Sequence, residues 1–526
     1  MPDDSGPMDD AAGLRAANAR LRAVVEAKAA AIEVLRAELD AERELRRRQE
    51  LRLAELERRL GMDSADSGTP SSKERIGAKE ARRARQQSER ERRKDRKRGG
   101  QPGHQGKGLD RDPDPGERKD VAPPAECRSC RAPLDGAEAA ASRWAQVIDV
   151  EFTRKVTEWA LPGLSCRCCG AVTFAAPPPG AHAGAVSYGP VLNAAAVLLT
   201  CYGNVPPERT AQVIGMLGGF PVSSGWVDKA SSRLSGRLER AGLDAAMTAA
   251  LAAEPVLAAD ETPVSVIAPG TVAGPAGEGE QDGGAPAGSP HVLVIRTPGG
   301  ELTWMTAIAS RRKDAIGAGI PAAFTGVLMT DGYSGYQHLL DRIGGIQQCC
   351  QHITRRARAV ESLGPGTLQS WAGDIITILR DAHRAVEQAR ARGDTVLDQQ
   401  VLDGLRERYD TATEVGRIHN RLRDWHDGNH PGYALACWLQ DHKEQVLLFT
   451  RDFRAGWTTN VVERGAKAAK RHQAVSGCWH ALATLARWCR IRSYLDSARA
   501  HGLTAMQAIR DALDGNPWLP PLPALS

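Results

Sequence analysis

The sequence has few cysteines, no long apolar run and no apolar signal after Met1, and each of these shortages excludes a class of protein. Its 11 cysteines are far too few for a disulfide scaffold in a chain of 526 residues. No apolar run approaches the roughly 20 residues that span a bilayer, and the residues after Met1 are acidic instead of forming an apolar signal. We therefore expect a cytoplasmic protein that is neither secreted nor inserted in a membrane.

A strong overall charge is also missing, but the positive charge that is present is concentrated. The formal net charge is +5, whereas residues 73–98 alone hold 13 basic and 5 acidic residues, so that the other 500 residues carry −3. Residues 63–122 are otherwise polar and rich in glycine and proline, and they cannot form a packed core. Such a cationic arm can lie along DNA phosphates or enter a narrow minor groove, and a solvated linker is the alternative. Its densest cations are Arg92, Arg93, Lys94, Arg96, Lys97 and Arg98.

The first 62 residues carry a heptad pattern. Between Leu14 and Leu60, nine of the 14 a and d positions are apolar, and Asn18 occupies an a position. A polar residue at one a position typically sets the register of a coiled coil. The pattern predicts a coiled coil over residues 1–62 through which the chain forms a homo-oligomer; a solvated, marginal helix is the alternative.

Two Cys-x-x-Cys pairs indicate a metal site, because two such turns can present four thiolates tetrahedrally to zinc. We assign residues 123–178 to a zinc ribbon with a structural Zn²⁺. Cys168 lies inside the second pair and is not expected to be a ligand, and the apolar alternation from Gln146 to Val156 predicts strands between the pairs. The expected ligands are Cys127, Cys130, Cys166 and Cys169.

Residues 179–251 have a helical pattern. An apolar stretch covers Val191–Cys201, a second helix is predicted near Arg209–Leu217, and a turn with a helix N-cap follows at residues 218–227. The pattern fits a helix–turn–helix that binds DNA and fits ordinary helical packing equally well.

Two predicted buried strands carry acidic residues at or near their ends. The strand Val256–Val264 contains Asp260 and Glu261, which as neighbours in a strand face opposite sides. The second strand leads into Asp331, which is followed by a glycine turn. Carboxylates at strand ends of one sheet commonly hold divalent metal ions. Together these acids predict a metal site.

A third acid, Glu463, lies 132 positions after Asp331, whereas the two aspartates are 71 positions apart. The longer gap cannot be a loop, so we expect an inserted helical domain over residues 359–456. Glu463 is predicted to lie on a helix beside a stripe of cations at helical spacing. A carboxylate flanked by cations that grip phosphates suits metal-dependent phosphoryl transfer, and a solvated helix face is the alternative. The cations at helical spacing from Glu463 are Lys467, Lys470 and Arg471, and the same helix also carries Arg464.

These residues resemble the transposases of the insertion-sequence-66 family. The most specific matches are Ala259–Pro263 and Thr330–Tyr336, and the family's third signature matches Asn460–Arg464, followed by Lys467. The leucine-rich coil, the arginine-rich segment ending in Gly-Gly-Gln-Pro-Gly-His and the paired cysteines also match. The resemblance implies an RNase H-like catalytic core with a DDE triad. The triad would be Asp260, Asp331 and Glu463.

The resemblance also implies an activity and its cofactors. Two Mg²⁺ (or Mn²⁺) ions on the triad would support nicking at transposon ends and strand transfer into target DNA, on a prokaryotic nucleoid, with accessory proteins of the same element as candidate partners. A catalytically inactive zinc-containing DNA-binding protein (a domesticated transposase or a repressor) and a nuclease that never joins are the rival classes. Residues expected to support the site, at positions where the family pattern is kept only in part, are His352, Arg355 and Asn460.

The expected architecture is therefore multidomain α+β. Its order is a coiled coil (1–62), a DNA-contacting linker (63–122), a zinc-binding domain (123–178), a helical domain (179–251), an RNase H-like α/β core (252–358), a helical insertion (359–456) and C-terminal helices that carry the glutamate (457–526).

Overall fold

The structure is a computed structural model that describes residues 108–521, apart from 140, 142, 269–288, 364–365, 424 and 426–427. The predicted coiled coil over residues 1–62 and the arginine-rich part of the arm lie outside the described residues. The described chain divides into two compact units. The smaller contains residues 108–177 and 215–221, and the larger contains residues 178–214 and 222–521.

The smaller unit carries each Cys-x-x-Cys pair on a tight turn. Strands β1 (Gly163–Ser165) and β2 (Val172–Phe174) pair antiparallel around the second turn, and a bridge between Glu126 and Pro133 closes the first. The strands predicted between the pairs are wrong, because residues 146–156 contain no strand. A strand needs a hydrogen-bonded partner strand. The second cysteine turn provides one for β1 by folding the chain back so that β2 lies beside it, whereas residues 146–156 have no such partner.

The larger unit begins with helices, as the apolar pattern predicts. The first one continues as a π-helical turn over Leu198–Tyr202, and the third one is capped by Ser223, whose Oγ accepts the N–H of Trp226 at 3.2 Å. The four helices are α1 (Pro190–Val197), α2 (Pro207–Gly218), α3 (Ser224–Arg240) and α4 (Leu243–Ala252).

A mixed sheet of five strands forms the centre of the larger unit, in the order β6-β5-β3-β7-β8. Within this sheet, β3 pairs antiparallel with β5, and β5 pairs antiparallel with β6. On the other side of β3, β7 pairs with it in parallel, and β8 pairs in parallel with β7. Most residues of β3, β5 and β7 are buried, because helices cover both faces of the sheet. The strands are β3 (Val256–Pro263), β5 (His291–Arg296), β6 (Thr303–Ile308), β7 (Val327–Thr330) and β8 (Gly345–Gln348).

Short elements connect these strands. Helix α5 (Lys313–Gly319) follows β6, and a 3₁₀ helix (Ser334–Asp341) follows β7. Strand β4 (Val266–Ala268) leaves the sheet and pairs in parallel with β9 (Trp479–Ala481).

The segment between Asp331 and Glu463 is mainly helical. Each of its first four helices packs against the next one in the chain, and the fourth also packs against the first. The last helix of the segment is held to β8 by the buried Gln347, which donates to the Val446 carbonyl at 3.2 Å. The helices are α6 (Cys350–Glu361), α7 (Gly366–Arg392), α8 (Gln399–Asn420), α9 (Pro431–Asp441) and α10 (Lys443–Val446). Across the described ranges, no helix is both long enough and apolar enough to cross a membrane.

Three C-terminal helices complete the unit, namely α11 (Asn460–Ser476), α12 (Leu482–Ala500) and α13 (Ala505–Leu513). Helix α12 closes the edge of the sheet, since Ser493 and Ser497 accept the outward N–H groups of Met305 and Thr303 at 2.7 and 2.9 Å. Helix α3 packs against α1, α12 and α13. Apart from residues 215–221, which include the end of α2 and belong to the smaller unit, residues 179–251 thus share one compact unit with the sheet. Within it, α3 packs as an ordinary core helix does.

Candidate active site

Asp260 and Asp331 lie side by side on neighbouring parallel strands. The register places Val256 opposite Val327 and Ala258 opposite Met329. Continued by two residues, this register brings Asp260 level with Asp331, the first residue after β7. Partners in a parallel pair point to the same face of the sheet. The two aspartates therefore share one face at the carboxyl ends of their strands.

Helix α11 brings Glu463 over that same face. Asp260 pairs with Val294 of β5, and Val294 packs against Gly465 so closely that a Cβ added at Gly465 would lie 2.7 Å from Val294 Cγ1. Glu463 lies in the first turn of α11, two residues before this contact. The partial positive charge of a helix N-terminus stabilises a carboxylate there.

The carboxyl group of Asp260 is partly buried among other acidic groups. Burial raises the pKa of Asp260 to about 7, and the negative charges of Glu261, Asp331 and Glu463 add to this effect. In the described part of the chain, the buried Oε1 of Glu463 has no hydrogen-bond partner. Excess negative charge and an unpaired carboxylate oxygen are what a bound divalent cation would neutralise. The donor chemistry therefore fits a magnesium site.

The carboxylates are gathered but not closed around a metal position. Within the described residues, no three or more histidine, cysteine or acidic side chains are arranged so that they could hold a metal ion as they stand. Binding of a cation would require the acid side chains to move closer together.

Comparison with known families agrees with this geometry. The family model described as "Transposase IS66 family" matches residues 185–486, more than half of the chain. The chain belongs to the IS66 transposase family. The matched range includes the whole five-stranded sheet, the helical segment and the helix that carries Glu463. A search of curated proteins gave no match.

Of the cations predicted on α11 of this IS66 family transposase, two approach the carboxylates. Lys467 Nζ lies 3.5 Å from Glu463 Oε2. Lys470 is half-buried; burial lowers its pKa, and the negative charge of Asp260 opposes this. Arg464 and Arg471 are exposed, and Arg471 Nε donates to the Lys467 carbonyl at 3.3 Å. Lys467 and Lys470 follow Glu463 by about one and two helical turns, and therefore share its face.

Of the three residues predicted to support the site, His352 is the one that approaches one of the three acids. His352 Nε2 lies 3.9 Å from Glu463 Oε1, and the pKa of the imidazole is raised chiefly by a hydrogen bond with Cys349. Cys349 is buried beside it and accepts the Thr459 N–H at 3.4 Å. Arg355 and Asn460 are exposed. Cys349 was not predicted as a neighbour of the site, although it lies in the same partly matching family segment as His352.

Glu261 faces away from the triad, as predicted from strand alternation. It pairs with Leu293, the neighbour of Val294, and its buried carboxylate accepts hydrogen bonds from Arg311 Nε and the Tyr336 hydroxyl. Arg311 was missed by sequence analysis, because it lies in a turn outside every motif and 50 residues away from Glu261. Tyr336 lies inside the Thr330–Tyr336 motif but was not predicted to contact Glu261.

The two cysteine turns of the smaller unit have the same geometry. Arg131 donates its backbone N–H to the Cys127 carbonyl, Gly170 does the same to Cys166, and both donors adopt a left-handed conformation, with φ of 63° and 72°. In each turn the pKa of the first thiol is lowered, chiefly by the backbone N–H of the second cysteine. Backbone donors that stabilise a thiolate favour metal binding.

Proposed function

We propose that this chain is a DDE-type DNA transposase that nicks transposon ends and transfers the freed strand into target DNA by metal-dependent phosphoryl transfer. The observation that carries this proposal is the convergence of Asp260, Asp331 and Glu463 on one face of the sheet, from two neighbouring parallel strands and a helix N-terminus. The strand order, with three antiparallel strands and two parallel additions, is the one expected of an RNase H-like core.

The three carboxylates would hold two Mg²⁺ or Mn²⁺ ions, which when bound would activate water and stabilise charge on the phosphate. The other residues of the site act on the DNA. Lys467 and Lys470 are placed to bind phosphate oxygens next to the acids, so that α11 provides both a metal ligand and phosphate contacts. Because Asp260 is partly buried, its carboxylate lies where the effective dielectric constant is lower than in bulk water. Its interactions with a bound metal ion and with the lysine ammonium groups are therefore stronger there.

The surroundings of the tyrosines favour direct transfer between DNA strands over a covalent tyrosine intermediate. Tyr336 is fully buried, and its hydroxyl donates to Glu261. The Tyr333 hydroxyl donates to the Arg311 carbonyl at 2.9 Å. A fully buried hydroxyl such as that of Tyr336 cannot reach a DNA phosphate. The partner of the Tyr333 hydroxyl is a backbone carbonyl, which is too weak a base to activate it as a nucleophile.

The experiment that tests the function uses purified full-length protein and duplexes taken from the inverted repeats that flank its reading frame. With Mg²⁺ we expect nicked ends and joined products, and with a chelator neither. Nicking without joining would identify a nuclease. Binding without any cleavage would identify a DNA-binding protein that has lost catalysis.

Zinc in the smaller unit is a separate proposal. We expect about one zinc per chain, on Cys127, Cys130, Cys166 and Cys169, because each turn stabilises a thiolate and four thiolates suit a closed tetrahedral site. Among the described residues these four thiols are not gathered around one point, so zinc binding would draw the two turns together. Elemental analysis should show that Cys127→Ser with Cys166→Ser loses the zinc and that the matched control Cys168→Ser keeps it. Zinc that survives the double substitution would contradict the ligand assignment.

The cationic arm should contribute a salt-dependent part of DNA affinity. Deletion of residues 73–107 is expected to weaken binding of a duplex and to reduce the slope of log affinity against log salt, by about 0.9 for each phosphate contact that is lost. Fluorescence anisotropy at several salt concentrations measures both quantities. An unchanged slope would show that the arm is a linker without phosphate contacts.

The heptad segment should set the assembly state. Deletion of residues 1–62 is expected to lower the molecular mass of the assembly in light scattering, because the a and d positions form the predicted interface. The core should stay folded, since the sheet and its helices lie in other residues. Equal masses for both proteins would exclude the coiled coil as the oligomer interface.

A further inference from the structure

A half-exposed arginine lies beside the carboxylate site. Arg311 follows β6, and its Nη2 lies 3.8 Å from Asp331 Oδ2 while its Nε lies 2.5 Å from Glu261 Oε1. The Arg311 side chain is 42% exposed, whereas that of Glu261 is fully buried. One edge of the guanidinium is therefore directed inward, and the rest remains accessible next to Asp331.

Tyr333 holds Arg311 and Asp331 in one arrangement. The guanidinium carbon of Arg311 lies 3.6 Å from the centre of the Tyr333 ring, and the Tyr333 hydroxyl donates to the Arg311 carbonyl at 2.9 Å. The backbone N–H of Tyr333 donates to Asp331 Oδ1 at 3.0 Å. The arginine is thus fixed relative to a proposed metal ligand by its side chain and by its backbone.

Glu261 prevents the guanidinium from turning away. A fully buried carboxylate is strongly destabilised without a cationic partner. Glu261 forms its ion pair with Arg311, and Tyr336 donates a second hydrogen bond to it. If Arg311 swung into solvent, the Glu261 carboxylate would be left with the hydroxyl alone. Its burial therefore keeps Arg311 in place. An arginine has five N–H donors, and Glu261 takes only the Nε–H.

We propose that Arg311 binds a phosphate oxygen of the DNA strand that is cut, and that Glu261 is a positioning residue that holds it there. The planar guanidinium fork matches phosphate oxygens, and its place next to Asp331 is where that phosphate must come if the triad acts as proposed, on which this inference rests. The neighbouring Arg312 offers a contrast, since it pairs with Asp314 at 3.5 Å and both side chains are largely exposed.

The test compares Arg311→Gln with Arg312→Gln in the full-length protein on transposon-end duplexes. We expect Arg311→Gln to lower the single-turnover rate of nicking about 10²- to 10³-fold, as the loss of one preorganised donor does, and Arg312→Gln to stay within about twofold. Arg311→Gln should keep the rise in melting temperature that Mg²⁺ gives, because the three carboxylates remain. Loss of that rise would mean that Arg311 only maintains the structure of the site, and would overturn the proposal.

A double-mutant cycle tests the positioning role of Glu261. Glu261→Gln should lower nicking about tenfold in the wild-type background and have little effect in Arg311→Gln, since it acts through that arginine. Equal effects in both backgrounds would overturn the positioning role. Wild-type nicking by Arg311→Gln, with Asp260→Asn inactive, would overturn the phosphate site and leave the proposed function intact. Activity in Asp260→Asn would instead contradict the proposed function itself.

Discussion

Asp260→Asn, Asp331→Asn and Glu463→Gln should each abolish both nicking and joining of transposon-end DNA. Each amide keeps the size of the side chain but removes one negative charge from a site where three carboxylates would share two divalent ions. We expect the nicking rate to fall at least about 10³-fold for each single change. When catalytic residues act as a unit, the loss of one member costs about as much as the loss of all of them. Binding of end DNA should persist, because the arm and the cations of α11 are unchanged.

Asp260→Asn should also differ from the wild type in stability, even without DNA. The pKa of Asp260, about 7 in the folded chain, exceeds its ordinary value, so the wild type loses stability as the pH rises from about 4 through 7. In a chelator at pH 8, Asp260→Asn should therefore be more stable, by something on the order of 2 to 4 kcal/mol. Mg²⁺ should raise the melting temperature of the wild type and not that of Asp260→Asn. Differential scanning calorimetry measures both effects.

Glu261→Gln is the matched control, since it removes the same charge from the adjacent residue on the opposite face of β3. It should lose far less activity than the triad variants and should keep the Mg²⁺ stabilisation. An equal loss would show that the metal site lies on the other face. Full activity in Asp331→Asn would eliminate the proposed triad.

Gly465→Ala should reduce nicking about 10- to 100-fold without touching any charged group. The added Cβ would lie 2.7 Å from Val294 Cγ1, which is too close for either group to stay in place. Because Val294 is fully buried within β5, we expect α11 to move away from the sheet. Glu463 moves with the helix, and small displacements of catalytic groups reduce rates steeply. Overpacking of this kind should also destabilise the fold by about 1 to 3 kcal/mol. Single-turnover nicking and thermal unfolding measure the two effects.

A second substitution tests that explanation. Val294→Ala removes the methyl groups that the new Cβ would meet, so Gly465→Ala with Val294→Ala should recover most of the nicking rate. Gly404→Ala serves as the helix control, because a Cβ there meets nothing within 4 Å and should stabilise α8 slightly. If Gly465→Ala behaves like Gly404→Ala, the close contact between α11 and β5 does not position Glu463.

Much of the site could be predicted from local patterns. The acids at strand ends, the helix that carries Glu463 and the helices that separate it from Asp331 all leave short-range signals, because the period of apolar residues and the turn-forming glycines are properties of neighbouring positions. The alternation along β3 was also sufficient to separate the faces of Asp260 and Glu261. The same rule gave a wrong result at residues 146–156, where the apolar pattern is present but a paired strand is not.

The sequence by itself determined the family, the triad candidates and the paired cysteine turns, since each depends on residues close together in the chain. The tertiary structure decided which side chains meet across long separations. It brought Arg311 to Glu261 and placed Gly465 against Val294. It also brought Lys467 and Lys470 close to the acids, Lys470 half-buried and Lys467 exposed. These contacts depend on strand register and on how closely a helix packs on the sheet. No local pattern records either quantity, because both arise from the packing of the whole unit.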